Sequence, residues 1–560
     1  MMTAKTESFT QRFDKSISSR FNWHYFLQDN LTGAWWLTLW VIVLALVTAV
    51  YTGKQLGLNT ASTVVVLIAW VLGLVLVALD GLHIVHTGVG SWLRRNLLSS
   101  ISNALLTLLL LLILISAFVS IWDWAVVNAT FDKTKTEPQY RNPDGATWGV
   151  VIGAWDLLMV GRFPREEFAR VWSTAFYFII LGGLSFIANK IGLWARNKSV
   201  RKILTAFWLL SPFVVYILLA GVSAEGPVFN GMTLLVGEVF ILGTFALLVW
   251  QKVIKFSWLS FIGWVVIWPL AYGIWKIIGR SGLFPPINVN LWGGLMLTLI
   301  IATAVILLSF PLGMILALGR RSEVRGIPWW IIWPVAIIIT LWGLSTSTTQ
   351  IFASARNTFE QIIAFWPLLI IIFAYILQKT FQGNVIAAAS TAFIEFIRGV
   401  PLITLLFMAI IMAPFFMPEG FTLENVWAVI LGYSLFSAAY MAELIRGGLQ
   451  ALPRGQFDAA DAIGLNTLQK MRFIILPQAL RIVIPGIVGQ FIGSYKSSSL
   501  VSIVGLFELL GIVGVIVANP QWLGLRKELY VFVGVVYFAG SFIMSWYSRR
   551  METRLGVGQR

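Results

Sequence analysis

The sequence predicts an all-α, polytopic transmembrane helical bundle of about 14 spans, and three observations carry that prediction. Of the 560 residues, 58% are hydrophobic and only 11% charged, against about 25% charged in ordinary soluble domains. The apolar residues gather in unbroken, non-alternating runs of about 17–25, the length that crosses a hydrocarbon core as a helix. Lys and Arg gather in short clusters between the runs, such as Arg94-Arg95, Arg196 to Lys202 and Arg320-Arg321. In lipid every backbone N–H and C=O must be satisfied internally, which leaves helices or a closed barrel, and continuous runs favour helices.

Seven runs fill the first half, near 34–50, 62–79, 103–122, 174–190, 203–222, 232–250 and 258–278. Seven follow, near 294–318, 329–345, 364–378, 399–416, 426–442, 482–517 and 528–547. The run at 482–517 is long for one span and contains Gly489, Gly493 and Gly505, so a bend or break is expected there. The opening MMTAKTESFTQRFDKSISSRF is polar, with no apolar core before a cleavage site, and reads as a cytoplasmic leader to the first span. No tandem repeat marks a solenoid. A functional boundary is expected near 288, after the non-helical connector around Pro285-Pro286, giving an N-terminal membrane region 1–288 and a second region 289–550.

The charge distribution sets the topology and excludes nucleic acid. Net charge is +16, yet no continuous basic face exists. With both termini in the cytoplasm, the inside segments hold 27 Lys and Arg against 11 outside, six of them in the segment 123–173, which also carries seven acids. Inverting the chain breaks the positive-inside rule nearly everywhere. Many of the 27 Trp residues sit near run ends, as interfacial anchors do. The absence of Cys removes disulfide and thiolate-metal frameworks. The outside segment 123–173 combines turn formers with an amphipathic stretch, VVIGAWDLLMVGRFPREEFARVW, expected along the outer membrane surface. Its Asn128-Ala129-Thr130 fits a glycosylation sequon by chance in a bacterial-looking chain.

The longest inside segment carries DAADAIGLNTLQKMRFIILP, Asp458 to Pro477. Pro453 suits a helix first turn, Gln456 to Ile463 form a short helix, and Asp458 and Asp461 lie near its positive end. Gly464 ends that helix in the left-handed conformation, Asn466 or Thr467 caps a second helix through Phe473, and Pro477 introduces the next span. Two short helices about a Gly turn make a polar knob. A lone Asp-Ala-Ala would fit any capped loop; the full spacing, acid-Ala-Ala, three residues, Gly, nine residues, Ile-x-Leu-Pro, is more specific.

On these residues the chain resembles the type-I ABC importer permeases for polar amino acids, the histidine/glutamine/general L-amino-acid group. The resemblance runs from about 290 to 550 through GGLMLTLIIATAVILLSFPLGMILALGRRS, FIEFIRGVPLITLLF, FSAAYMAELIRGGLQALPRGQFDAADAIGL and FIILPQALRIVIPGIVGQFIGSYKSSSLVSIVGL. GAWDLLMVGRFPREEFARVW also resembles the M-type subunit of general L-amino-acid permeases. The resemblance implies that the C-terminal half has the type-I transmembrane fold. It also implies that the 446–481 loop couples the chain to a separate ATPase through Asp458, Ala459, Ala460, Gly464, Ile474, Leu476 and Pro477. The implied partners are ABC ATPase subunits carrying ATP and Mg, a second and different permease subunit, an external amino-acid-binding protein and the lipid bilayer. The chain has no GxxxxGK[ST] loop, so the ATPase is expected on a separate polypeptide, and the resemblance implies a pore-forming subunit that binds no cofactor itself and is not an enzyme. The chain departs from the family at two points. Asp458 replaces the usual Glu, and about 60 extra residues, including two spans, fill an insertion near 322–391, which returns the chain to the same side.

Lys496, with Ser497, Ser498, Ser499 and Gln490, is the candidate substrate path. A mid-membrane Lys costs about 2.5–3.5 kcal/mol on insertion scales, so it faces a cavity or a partner, and its charge suits an α-carboxylate. Snorkelling or pairing with Glu508 is the competing reading. Glu238 is expected to pack against Lys276 or a polar helix interface rather than relay protons, and His83 and His86 to sit in a solvated loop. Arg398-Gly399-Val400-Pro401 marks the start of a span, with Arg398 as inside anchor. Two rival functions are an ion-gradient-driven secondary transporter, which needs intramembrane carboxylates and has only Glu238, and a purely structural membrane subunit.

Overall fold

A computed structural model describes residues 120–223, 257–354, 357–416 and 423–555, with isolated positions between 96 and 118. The expected spans at 34–50, 62–79 and 232–250, half of 103–122, and with them Glu238, His83 and His86, lie outside the described residues. The described chain is helical, with isolated backbone bridges and no named strand. Seven of its helices are long and apolar enough to cross a membrane, or up to nine if each of two bent pairs counts as one span.

The chain divides into two compact units, Met1–Ile152 and Gly153–Arg560. In the first, the turn-rich segment folds on itself. Thr130 and Ala146 donate backbone N–H groups to Ala146 and Trp124 (2.7 Å each), and Trp148 Nε1 donates to Ala125 O at 2.7 Å. Gly145 packs so closely on the Asn128 backbone that a Cβ would fall 1.8 Å from its carbonyl oxygen. The N–H and hydroxyl of Thr134 hold the Asp132 carboxyl below the usual carboxylate range.

The second unit opens with a short helix α1 (Trp155–Val160), stopped by Gly161 at φ 66. Helices α2 (Phe168–Lys190) and α3 (Lys198–Ala220) form an antiparallel hairpin around Leu181, Ala188 and Leu204. Gly192, left-handed at φ 75, turns the corner, and the Asn197 side chain caps α3 by accepting from Ser199 and Val200 N–H. The amphipathic stretch expected along the outer surface is thus split between α1 and the start of α2, and Leu158, Val160 and Phe163 are buried. Val160 and Phe163 share one core with Leu219, Trp292, Leu297, Leu406 and Val429.

Helix α4 (Trp258–Ser281) begins with a Ser257/Ser260 capping box. The central pair is α5 (Gly294–Arg320) and α10 (Asn425–Gln450). Small residues let them touch: a Cβ on Gly313 would lie 2.6 Å from Met441 Cβ. Between them come α6 (Trp329–Gly343), α7 (Leu369–Thr380), α8 (Val385–Gly399) and α9 (Leu402–Phe407). Helices α6 and α7 pack on each other through Ile332, Ala336 and Ala374, with Trp333 Nε1 donating to Gln378 at 2.9 Å. The chain leaves and rejoins the bundle at one place. Asn384 Nδ2 donates to Ser322 O, and Gly326 N–H to Gly383 O at 2.8 Å.

One expectation changes here and another narrows. The segment 379–398, read as a loop, contains α8, and α8 meets the helical segment after it, Leu402–Phe416, at a bend of 107°. Pro401 forces the break, because it drives Val400 into the extended region (φ −102, ψ 133). The 482–517 run breaks, as expected, but at one of its three glycines only. A helix runs unbroken from Thr467 to Val504, Gly505 stops it at φ 88, and a separate α14 (Gly511–Val517) precedes α15 (Arg526–Leu555). Gly489 and Gly493 produce no break.

Candidate functional site

The polar knob is built from α11 (Arg454–Ala462) and α12 (Thr467–Lys470), the latter continuing through a wide π turn (Met471–Ile475) into α13 (Leu476–Ser497). Pro453 sits just before α11 with its ring-fixed φ of −60. Gly464 at φ 74 ends the helix: its N–H donates to Asp461 O at 2.9 Å and Leu465 N–H to Ala460 O at 3.2 Å. These two bonds satisfy the last carbonyls in a Schellman motif. Asn466 then caps α12 reciprocally with Gln469. Lys470 Nζ reaches back to the Asp461 carboxylate at 2.6 Å and clips the two helices together.

Pro477 stands in the first turn of α13, where the sequence places it, but the second helix does not stop at Phe473 and continues into α13 without a break. A proline inside a helix loses one N–H and crowds the carbonyl four residues before it, here Phe473. The π turn that ends at Ile475 widens the backbone at that point and lets the helix pass through. Of the seven motif residues, Ala460 is buried, Ile474 and Leu476 half-buried, and Asp458, Ala459, Gly464 and Pro477 exposed; Ile475, between Ile474 and Leu476, is fully buried. The buried side joins a core with Ala317, Ile394, Met441, Ile445 and Leu449, so the knob is rooted in α5, α8 and α10. Arg321 ties it further, with its guanidinium 5.3 Å from the Phe457 ring and Nη1 donating to Leu449 O at 3.3 Å.

Close to the knob lies a cluster of five charges, of which the sequence singles out only Arg398 and, as a basic pair with Arg321, Arg320. The Glu443 carboxylate, on α10, accepts from Arg320 of α5 at 2.7 Å and from Arg446 of its own helix at 2.7 Å, and lies 3.4 Å from Arg398 of α8. Glu395 of α8 pairs with Arg320 at 3.0 Å and Arg398 at 3.9 Å. The sequence signal was Glu395/Arg398 and Glu443/Arg446 at i, i+3 on helix ends, but their convergence is set by three helices meeting.

The candidate substrate-path residues are not brought together. Gln490 is half-buried and donates to Ser437 of α10 at 3.3 Å, within a seam that includes Ser494 and the Tyr433 hydroxyl. Lys496 is exposed, and six residues of helix place it about 120° around α13 from Gln490. Ser498 and Ser499 turn their hydroxyls back onto Tyr495 O and Lys496 O, as helical serines commonly do. Glu508 is fully buried and bonds to Leu510 N–H, Gly511 N–H and the Tyr537 hydroxyl at 2.7–2.9 Å, not to Lys496. Lys276 lies over the Tyr272 ring at 5.0 Å.

Comparison with known proteins completes the assignment. Residues 368–557 match the family described as binding-protein-dependent transport system inner membrane component. The glutamate/glutamine/aspartate/asparagine transport system permease protein BztC of Rhodobacter capsulatus is 32% identical over 84% of this chain and 94% of its own length. The inner membrane amino-acid ABC transporter permease protein YhdY of Escherichia coli is 30% identical over 84% and 93%. A solved structure of an amino acid ABC transporter with histidines covers 47% of this chain and 92% of its own at 22% identity and a TM-score of 0.33, a likeness too loose to add to the assignment. The two long alignments reach across almost the whole of each relative, the helices are of membrane-spanning length, and the chain belongs to the amino-acid ABC transporter permeases, the inner-membrane components of binding-protein-dependent transport.

Proposed function

We propose that this chain is the pore-forming permease subunit of an ATP-driven importer of amino acids, and that it couples to a separate ATPase through the 446–481 loop. The observation that carries this reading is the knob itself. Its backbone is closed by a left-handed glycine and a reciprocal cap, its inner face is rooted in the bundle, and its outer face exposes Asp458, Ile463, Leu468 and Phe473. An exposed apolar surface rimmed by polar groups on a membrane protein's polar loop suits a protein partner. ATP and Mg would reside on that partner. BztB, another Rhodobacter capsulatus permease protein described for the same transport system as BztC, matches 22% of this chain at 37% identity, which supports pairing with a second, different permease subunit. An amino-acid-binding protein would deliver substrate from the opposite face.

The orientation follows the charge asymmetry, with both termini and the knob in the cytoplasm. The permease domain is 289–550, and α6 and α7 belong to an inserted hairpin within 322–391. The meeting of Ser322 with Asn384 supports that, because an insertion into a continuous domain must begin and end at one place. Lys496, Ser497, Ser498, Ser499 and Gln490 remain the substrate-path proposal, with Gln490 and Lys496 acting on different faces of α13.

The test is amino-acid uptake by proteoliposomes holding the whole complex, wild type against Gly464→Pro. Proline cannot adopt φ 74 and lacks the N–H that Gly464 donates to Asp461, so the knob loses its closure. ATP-dependent uptake is expected to disappear while the complex stays assembled. Undiminished uptake that persists without ATP and collapses with the ion gradient would establish a secondary transporter instead.

A further inference from the structure

We infer that Glu443 is a positioning residue in energy coupling, the point at which movement of the knob is handed to the bent helix α8. The inference rests on the coupling-loop reading above. Beyond Glu443, helix α10 continues to Gln450, and three residues, Ala451 to Pro453, connect it to the knob helix α11. At Glu443 it meets α5 through Arg320 and α8 through Arg398, with Arg446 completing the set from its own helix. The adjacent Arg321 touches the knob at Phe457 and Leu449. The end of α5 therefore holds the charge cluster with Arg320 and the knob with Arg321, the residue that follows it.

The composition of the cluster suits a joint that shifts rather than a fixed brace. Three arginines face two carboxylates, so the cluster carries one uncompensated positive charge. Glu443 is the best-enclosed carboxylate, 16% exposed, whereas Glu395 is 54% exposed. Pairs as open as those of Glu395 exchange with water at little cost, while an enclosed carboxylate shared among guanidiniums is costly to leave unpaired. Helix α8 can thus trade partners at Glu395 while remaining attached at Glu443. The attachment, Arg398, lies two residues before Val400, where the 107° bend between α8 and the following helical segment begins. A change in α10 that moves Glu443 is passed to the arm of that bent span.

The experiment compares ATP hydrolysis with amino-acid uptake in proteoliposomes of the full complex, for wild type, Glu443→Gln, Glu443→Asp and Arg398→Gln. Co-purification of the ATPase is recorded for each. Glu443→Gln is expected to keep the ATPase bound and hydrolysing, while uptake per ATP falls about tenfold, within the usual range of coupling energies. Glu443→Asp, which keeps the charge, is expected to recover most of that ratio. Arg398→Gln, which spares two of the arginines on Glu443, should lower the ratio in the same direction and guards against misfolding of the first variant. Equal falls of uptake and hydrolysis in all three variants, or an unchanged ratio, would overturn the inference. Its failure is distinct from failure of the coupling-loop reading, which Gly464→Pro tests independently of this cluster.

Discussion

Side chains that the bundle holds close can be told from those it leaves open by adding a single methyl group. At Gly313 a Cβ would press on Met441 Cβ at 2.6 Å and Ala438 O at 3.0 Å, in the seam between α5 and α10. Gly313→Ala is expected to destabilise the protein by about 1–3 kcal/mol, the usual range for overpacking, read as a lower melting temperature in detergent. Gly489, in α13, has nothing within 4 Å of where its Cβ would be. Gly489→Ala should move the melting temperature the other way, by about 0.5–1 kcal/mol of helix propensity. Much of the knob was legible at this scale. Gly464, Asn466 and Pro453 each carry a local backbone rule; Gly464 and Asn466 hold the positions those rules expect, and Pro453 stands one place before the first turn, as the N-cap. Glu443 was not legible, because nothing near it in sequence says that Arg320 and Arg398 face it. That information lies in the register of three helices.

At the scale of elements, the helices read most directly from sequence were α2, α3, α5 and α10, where long apolar runs are bounded by basic clusters or turn residues. Helix α8 was missed because Val385–Gly399 is amphipathic and carries Glu395 and Arg398, so its hydropathy resembles an interhelical segment. The continuity of the helix through Pro477 was missed for another reason. Proline ordinarily marks a start, and the widened turn that accommodates it has no sequence signature. The α6–α7 hairpin gives a prediction at this scale. Its ends are already hydrogen-bonded to each other, through Ser322 and Asn384 and through Gly326 and Gly383. Replacing 328–380 with a short Gly-Ser linker should leave a protein that inserts and assembles, since shortening a closed loop changes its closure entropy by only about 0.6 kcal/mol per halving of length. Size-exclusion chromatography of the co-purified complex reads the outcome. An excised chain that aggregates would make the hairpin part of the bundle's own fold.

For the molecule as a whole, the lack of native cysteine makes the orientation directly measurable. With the knob inside, Arg454→Cys in intact cells should react with a membrane-permeant maleimide and resist an impermeant one. Lys135→Cys, in the outside segment, should react with both. The reverse pattern would invert the protein. One consequence of the helix that passes unbroken through Pro477 is mechanical. From Thr467 to Val504 it is 38 residues, about 57 Å at 1.5 Å per residue, nearly twice the thickness of a hydrocarbon core of about 30 Å. It is a lever arm longer than the bilayer core is deep. A tilt of about 5° of a rod of that length carries its tip sideways by about 5 Å, and the π turn at Met471–Ile475, Pro485 and the tightened turns at Ser498–Val504 are the places along it where such a tilt is absorbed.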